Sequence, residues 1–263
     1  IGVSSEATLT ESNGLAMWHG TMPAGAPTGI DPLEALRIAS KHLRSPVIKG
    51  LPPLTGGLVG FLSYDVVRRL EKLPNLTSDE LQIPELSFML TTDLAVYDHF
   101  EGSVTLIANA INWDGSDERV DQAFDAAISR IEKMEVSLRS AMPSLSVELP
   151  PRPAADFRRR TSSQDFVARV EAIKEEIRKG EAFQVVLSQR FEMECQSDAF
   201  DVYRMLRLHN PSPYMYLFRF AEGFDVVGSS PEALVKVQGR EVMIHPIAGT
   251  RKRSAHQDED QKI

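Results

Sequence analysis

The chain has 263 residues, 42% of them hydrophobic and 25% charged. That is the balance of a globular protein rather than of a disordered, collagen-like or coiled-coil chain, and the length suits one large domain or two small ones. Its 29 Lys and Arg against 37 Asp and Glu leave a formal charge of −8, which argues against nucleic-acid binding because such surfaces need excess positive charge to displace counterions from phosphates.

A single cysteine, Cys195, permits no intrachain disulfide and no paired-thiol metal or redox site. No apolar run approaches the roughly 18 residues that span a bilayer, and residues 1–10 lack the basic and apolar regions of a secretory signal. These features predict a cytoplasmic protein with no membrane association. The first residue is Ile1 rather than Met and the last six are D-E-D-Q-K-I, which reads as an internal piece of a longer chain.

In chain order, residues 23–32 are rich in Gly and Pro and read as loop, and Asp31-Pro32 opens a helix through Leu36, Ile38 and Leu43. Residues 58–64 are apolar beside glycines 56, 57 and 60, a strand lying close to another backbone. Residues 94–97 and 103–107, joined by D-H-F-E-G, read as a β-hairpin. Apolar residues at 120, 124, 127, 131 and 134 then mark an amphipathic helix within 116–139. Pro143, Pro150, Pro151 and Pro153, followed by Arg158-Arg159-Arg160, favour an extended connection, either a segment boundary or a long surface loop. On the first alternative the chain divides into an N-terminal α/β region at 1–149, a Pro/Arg-rich linker at 150–161 and a second region at 162–263.

After the linker, Ser162 and Asp165 stand at capping-box spacing, Phe166, Val170, Ile173 and Ile177 form one stripe, and Gly180 suits the helix end. Residues 183–193 read as a long buried strand, 199–208 as a helix halted before Pro211, and 214–220 as an aromatic strand. A short strand at 226–228 and a hairpin over 235–244 turning at Gln238-Gly239 complete the set.

The chain carries no Walker loop, nucleophile elbow, H-E-x-x-H helix or dinucleotide fingerprint. Its histidines at 19, 42, 99, 209, 245 and 256 have no metal-ligand spacing, and Cys195 reads as a bystander thiol. Three stretches group unusual residues. N-P-S-P-Y-M-Y-L at 210–217 sets two prolines before an aromatic strand, either to present backbone groups to a ligand or simply to start the strand. G-S-S-P-E at 228–232 places hydroxyls and a carboxylate in a turn. P-I-A-G-T at 246–250 ends in a Gly-Thr pair whose N–H groups and hydroxyl suit a carboxylate or polar substrate oxygen.

Together with G-G-L-V-G-F-L-S-Y-D at 56–65, G-E-A-F-Q-V-V-L-S-Q-R-F-E at 180–192 and P-I-A-G-T-R at 246–251, these stretches resemble the chorismate-utilising enzyme family, and within it the anthranilate synthase component I chains. D-E-R-V-D and G-L-P-P-L resemble the actinobacterial branch most. The resemblance covers essentially the whole chain. It implies an α+β fold of antiparallel β-sheets packed against outer helices, incomplete here, with 1–149 on the regulatory side and 162–263 the first part of a chorismate-binding catalytic domain.

The resemblance also implies a carbon–oxygen lyase of tryptophan biosynthesis. Relatives that add water to chorismate carry a lysine base where this chain has Gln184, and an amide cannot deprotonate water. Relatives that make 4-amino-4-deoxychorismate carry an attacking lysine where this chain has Ala248. The reaction implied is ammonia addition to chorismate followed by pyruvate loss to give anthranilate, with tryptophan as feedback inhibitor and a glutamine amidotransferase subunit as ammonia source. Two alternatives stay open: a 2-amino-2-deoxyisochorismate synthase, and a non-catalytic module that binds tryptophan or docks the partner.

By the same resemblance Gln184 belongs to the active-site wall, Gly249 and Thr250 contact chorismate, and Pro213, Tyr214 and Met215 form one side of the tryptophan pocket. The cofactor implied is Mg²⁺, with its ligands expected beyond Ile263, so the piece taken alone is expected to be inactive. Ser254 departs from the glycine of many relatives and puts the local turn in doubt. Glu232 has no assigned role, a structural turn carboxylate being one reading.

Overall fold

The computed structural model describes residues 1–141, 156–247, 249 and 251–262. In chain order its elements are β1 (Gly2–Ser12), β2 (Leu15–Gly20), α1 (Pro32–His42), β3 (Gly57–Leu62), a 3₁₀ segment (Tyr64–Arg69), β4 (Leu86–Asp98) and β5 (Ser103–Ala108). They continue with α2 (Val120–Arg139), β6 (Arg158–Arg159), α3 (Ser163–Lys179), β7 (Phe191–Glu192), α4 (Ala199–His209), β8 (Tyr214–Arg219), β9 (Asp225–Ser230), β10 (Lys236–Gln238), β11 (Glu241–Met243) and α5 (Gln257–Asp260). No described helix is long and apolar enough to cross a membrane. The chain forms two compact units, one from Ile1–Met142 with Ser212–Ile263 and one from Pro143–Pro211. Residues 212–263 thus group with the N-terminal segment, a different division from one at the 150–161 linker.

The first unit is built on a five-stranded sheet in which β2, β1, β4 and β3 are neighbours in that order and β5 also pairs with β4. Every strand pairing among the described residues is antiparallel, as expected for the α+β class. The hairpin of β1 and β2 goes beyond the expected elements. Its turn is Asn13-Gly14 with φ of 52° and 81°, the left-handed pair that matches the twist of two flanking strands.

Leu9, Ala16, Ala35 and Leu86 form a buried cluster with Trp18, Leu33, Leu36 and Phe88 packed against it. Helix α1 reaches it because Ala35 and Ala39 are small and fully buried. Its start is set by Asp31, whose carboxylate accepts the Glu34 N–H at 3.0 Å, with Pro32 at the first helical position. That N–H, and then the Arg69 guanidinium at 2.7 Å, hold the Asp31 carboxyl below its ordinary pKa. The resulting stabilisation is present above the unfolded carboxyl's pKa and is lost as pH falls through the lower folded value. Arg69 also pairs with Glu85 at 2.5 Å and donates to the Gly14 carbonyl at 3.3 Å, so one guanidinium ties the start of α1, the approach to β4 and the first hairpin turn.

Helix α2 is fixed by a buried ion pair. Asp93 on β4 is 3% exposed, accepts Arg130 Nε at 2.8 Å and the Ser4 hydroxyl at 2.9 Å, while Arg130 also donates to the Asn109 carbonyl at 2.7 Å. Of the expected α2 stripe, Ala127 and Met134 are buried, whereas Val120 and Phe124 are exposed.

The second unit contains β6, β7, α3 and α4. Ser162 caps α3 by accepting the Asp165 N–H at 3.0 Å, and Gly180 ends it with φ of 87°, as the capping pattern predicts. The expected long buried strand at 183–193 is corrected: only Phe191–Glu192 is strand, paired with Arg158–Arg159, and Phe183 and Val186 are exposed. A strand persists only where its N–H and C=O groups find partners, and among the described residues the run before β7 finds one such backbone bond, Arg160 N–H to the Arg190 carbonyl at 3.1 Å.

Removing one member of a buried ion pair strands the other charge. Arg130→Ala is therefore expected to cost about 3 kcal/mol of stability in urea denaturation, whereas the apolar double variant Arg130→Met with Asp93→Leu is expected to stay within about 1 kcal/mol of the parent.

Candidate active site

Strands β8 and β9 bring two of the singled-out stretches face to face. Tyr214 pairs with Ser230, Met215 with Ser229 and Tyr216 with Gly228, so the aromatic strand of N-P-S-P-Y-M-Y-L lies along the hydroxyls of G-S-S-P-E. Pro213 and Tyr214 are exposed and Met215 is half-buried. Gly228 is required by its neighbour, since a Cβ there would overlap the Tyr216 ring. That ring stacks on Phe218 at 5.2 Å with an interplanar angle of 16°.

A third stretch joins just past the C-terminal end of β9, beside the Tyr214–Ser230 pair. Glu232 accepts the Ile247 N–H at 3.2 Å and its own carbonyl accepts the Ser230 hydroxyl at 3.1 Å, tying the G-S-S-P-E turn to P-I-A-G-T-R. Two residues beyond Ile247, Gly249 is exposed, and a Cβ there would meet nothing within 4 Å. Close packing among the described residues therefore does not demand glycine at 249. Ala248 and Thr250 lie outside the described residues.

Ser254 makes a defined turn of its own. Its N–H donates to Asp260 at 2.9 Å, its hydroxyl donates to Glu259 at 2.9 Å, and that oxygen accepts the His256 N–H at 3.2 Å. Asp260 also pairs with Arg253. The Ser254 N–H, and next Arg253 beside it, hold the Asp260 carboxyl below its ordinary pKa.

The G-G-L-V-G-F-L stretch reaches this hairpin at its tip. Gly60 lies so close to β4 that a Cβ would overlap the Ser87 carbonyl and the Phe88 backbone. Phe61 meets Phe220 and Phe224 edge-on at 5.3 and 6.0 Å, and the Ser87 hydroxyl donates to Glu222 at 2.9 Å. Phe61 lies in the quoted 56–65 stretch and Phe220 ends the expected aromatic strand, whereas Ser87, Glu222 and Phe224 belong to no quoted motif, although the two phenylalanines flanking a Glu-Gly turn are a local sign of a packed hairpin tip. Gln184 belongs to the second unit, exposed and outside any strand.

Four of the five quoted stretches thus meet one hairpin of the first unit, G-G-L-V-G-F-L at its tip and the other three at its open end, which offers hydroxyls, backbone groups and an aromatic edge to a polar, carboxylate-bearing molecule. Cys195 is exposed and free. Among the described residues no three His, Cys, Asp or Glu side chains come together as metal ligands, so these residues do not by themselves form a Mg²⁺ site and no step is routed through one.

Residues 10–263 match the family model of the chorismate binding enzyme, and the chain belongs to that family. It is 50% identical over 265 residues to the anthranilate synthase component 1 of Mycolicibacterium smegmatis, covering 99% of this chain and 50% of that one. To the component 1 of Mycobacterium tuberculosis it is 48% identical, covering 99% and 52%. The crystal structure of anthranilate synthase component I from Streptococcus pneumoniae superposes with a TM-score of 0.72 at 27% identity, over 90% of this chain and 51% of that one. The chain therefore spans about half the length of the curated relatives it matches.

Gly60 and Gly228 separate by what an added Cβ would strike. Gly60→Ala meets backbone that cannot yield and is expected to cost about 3 kcal/mol, whereas Gly228→Ala meets the far end of a Tyr ring that can swing aside, at about 1 kcal/mol. Thermal denaturation of the two variants, side by side, checks the order.

Proposed function

We propose that the chain is part of an anthranilate synthase component I, which converts chorismate and ammonia to anthranilate and pyruvate and is inhibited by tryptophan. The observation that supports this most is the joining of N-P-S-P-Y-M-Y-L, G-S-S-P-E and P-I-A-G-T-R at one hairpin, through the β8–β9 register and the Glu232–Ile247 bond. In this reading residues 1–149 form the regulatory side and 162–263 the first part of the chorismate-binding domain. Gly249 and Thr250 contact chorismate, Gln184 lies in the active-site wall, and Pro213, Tyr214 and Met215 face tryptophan. A glutamine amidotransferase subunit supplies ammonia, Mg²⁺ is the cofactor, and the setting is cytoplasmic.

The chemistry follows from what the diagnostic positions lack. An amide at 184 cannot act as base toward water, and a methyl at 248 cannot attack the ring, so ammonia itself is the nucleophile. A C2–N bond forms as the C4–O bond breaks, releasing water, and the enolpyruvyl group then departs as pyruvate to leave the aromatic amine.

The test uses the chain at the full length of its relatives, supplied with free ammonia, Mg²⁺ and chorismate, with products read by mass. Anthranilate and pyruvate are expected; a product that keeps the enolpyruvyl group means a 2-amino-2-deoxyisochorismate synthase instead, and no product means a non-catalytic module. Ala248→Lys is expected to cut anthranilate output at least about tenfold, because an amine placed at the ring competes with ammonia. Unchanged turnover would remove Ala248 from the ring's neighbourhood.

A further inference from the structure

Two ends of one hairpin carry different features. At one end stand Tyr214 and Met215 opposite Ser230 and Ser229. About 20 Å away along the strand, at 3.3 Å per residue, Phe220 and Phe224 stack at 5.0 Å over Phe61 of β3, and Glu222 accepts the hydroxyl of Ser87 on β4. The rings connect the ends: Phe220 meets Phe218 at 6.0 Å, and Phe218 stacks on Tyr216.

The Glu222 carboxylate is in an unusual state. One oxygen takes the Ser87 hydroxyl, while Oε2 is buried with no hydrogen-bond partner among the described residues. A hydrogen bond to a charged group and the desolvation of a buried, unsatisfied oxygen are opposing effects of similar size. The buried, unsatisfied oxygen therefore works against the closed arrangement, with the bond made, and favours an open one, with the carboxylate hydrated. Such a pair of arrangements is what a ligand can bias, provided that it binds one of them better.

We propose that the Ser87–Glu222 clasp is a latch that sets the strength of tryptophan inhibition, with Glu222 and Ser87 as positioning residues remote from the inhibitor. The closed latch anchors the ring ladder, which holds Tyr214 and Met215 in the arrangement that tryptophan binds. This rests on the reading that Tyr214 and Met215 face tryptophan. Each substitution then has a direction. Glu222→Ala and Ser87→Ala delete the bond and favour the open arrangement. Glu222→Gln keeps an acceptor for Ser87 and is cheaper to desolvate, so it favours the closed one.

The experiment titrates tryptophan against anthranilate formation, with free ammonia, in the chain at the full length of its relatives. The tryptophan concentration for half-inhibition is expected to rise about threefold to tenfold in Glu222→Ala and Ser87→Ala, and to stay at or below the parent value in Glu222→Gln. KM for chorismate measured without tryptophan should stay within about twofold in all three. Hydrogen exchange at the amides of residues 220–224 should slow when tryptophan is added to the parent. Met215→Thr separates the two ideas. If it leaves inhibition unchanged, the tryptophan reading itself fails. If it weakens inhibition while Glu222→Ala and Ser87→Ala do not, the latch alone is overturned. A Glu222→Gln variant as insensitive as Glu222→Ala also overturns the latch, because a merely structural tip would respond to any change.

Discussion

Strand β4 has to satisfy the backbone hydrogen-bonding groups of thirteen residues on both of its edges, and the first unit is organised by how it does so. One edge is taken by β1; the other is shared end to end by β3, facing residues 86–91, and β5, facing residues 93–98. Where β3 gives way to β5, the Asn109 side chain fills the junction by donating to the carbonyls of Thr55 at 2.7 Å and Thr92 at 2.9 Å. Asp93 lies at the same junction, which is why a charged residue can be buried there: Arg130 and Ser4 meet it from two other elements. The Gly60 approach and the Ser87 hydroxyl belong to this strand's neighbourhood too, so the hairpin bearing the candidate site is referenced to β4.

What was legible in the sequence is what local chemistry decides. Asp31-Pro32 and Ser162 start their helices by accepting an N–H from their own first turn, and Gly180 stops one by adopting a left-handed conformation. Strands were legible where a neighbouring strand stood close in sequence, as with β4 and β5 or β8 and β9, and at β3, where an apolar run beside glycines 56, 57 and 60 marked a strand against another backbone. Residues 183–193 carry the alternation of a strand, yet alternation reports which side chains share a face, not whether a partner exists. The opposite error occurred at β1, whose polar start conceals it, although Asn13-Gly14 was a readable turn signal.

For the candidate site, the stretches themselves were readable as text and their joining was not. Nothing in G-S-S-P-E announces that its carboxylate will hold the N–H of Ile247, fifteen residues on. The Ser87–Glu222 bond is less visible still, since serine and glutamate are common surface residues and only their meeting is unusual. Motif reading selects residues by type, whereas positioning depends on register, and register is a property of pairs of strands.

The division of the chain has a consequence for biosynthesis. Residues 143–211 stand in sequence between the two stretches that make up the first unit, and Ser87 and Glu222 are 135 residues apart. At roughly 5–20 residues per second on the ribosome, the sheet around β4 waits on the order of ten seconds for the hairpin that covers Phe61. Through that interval an aromatic side chain beside the tightly packed Gly60 has no cover from Phe220 and Phe224. The nascent polypeptide then depends on whatever shields such a patch, and translation speed becomes part of how reliably the sheet receives its own hairpin rather than a neighbour's.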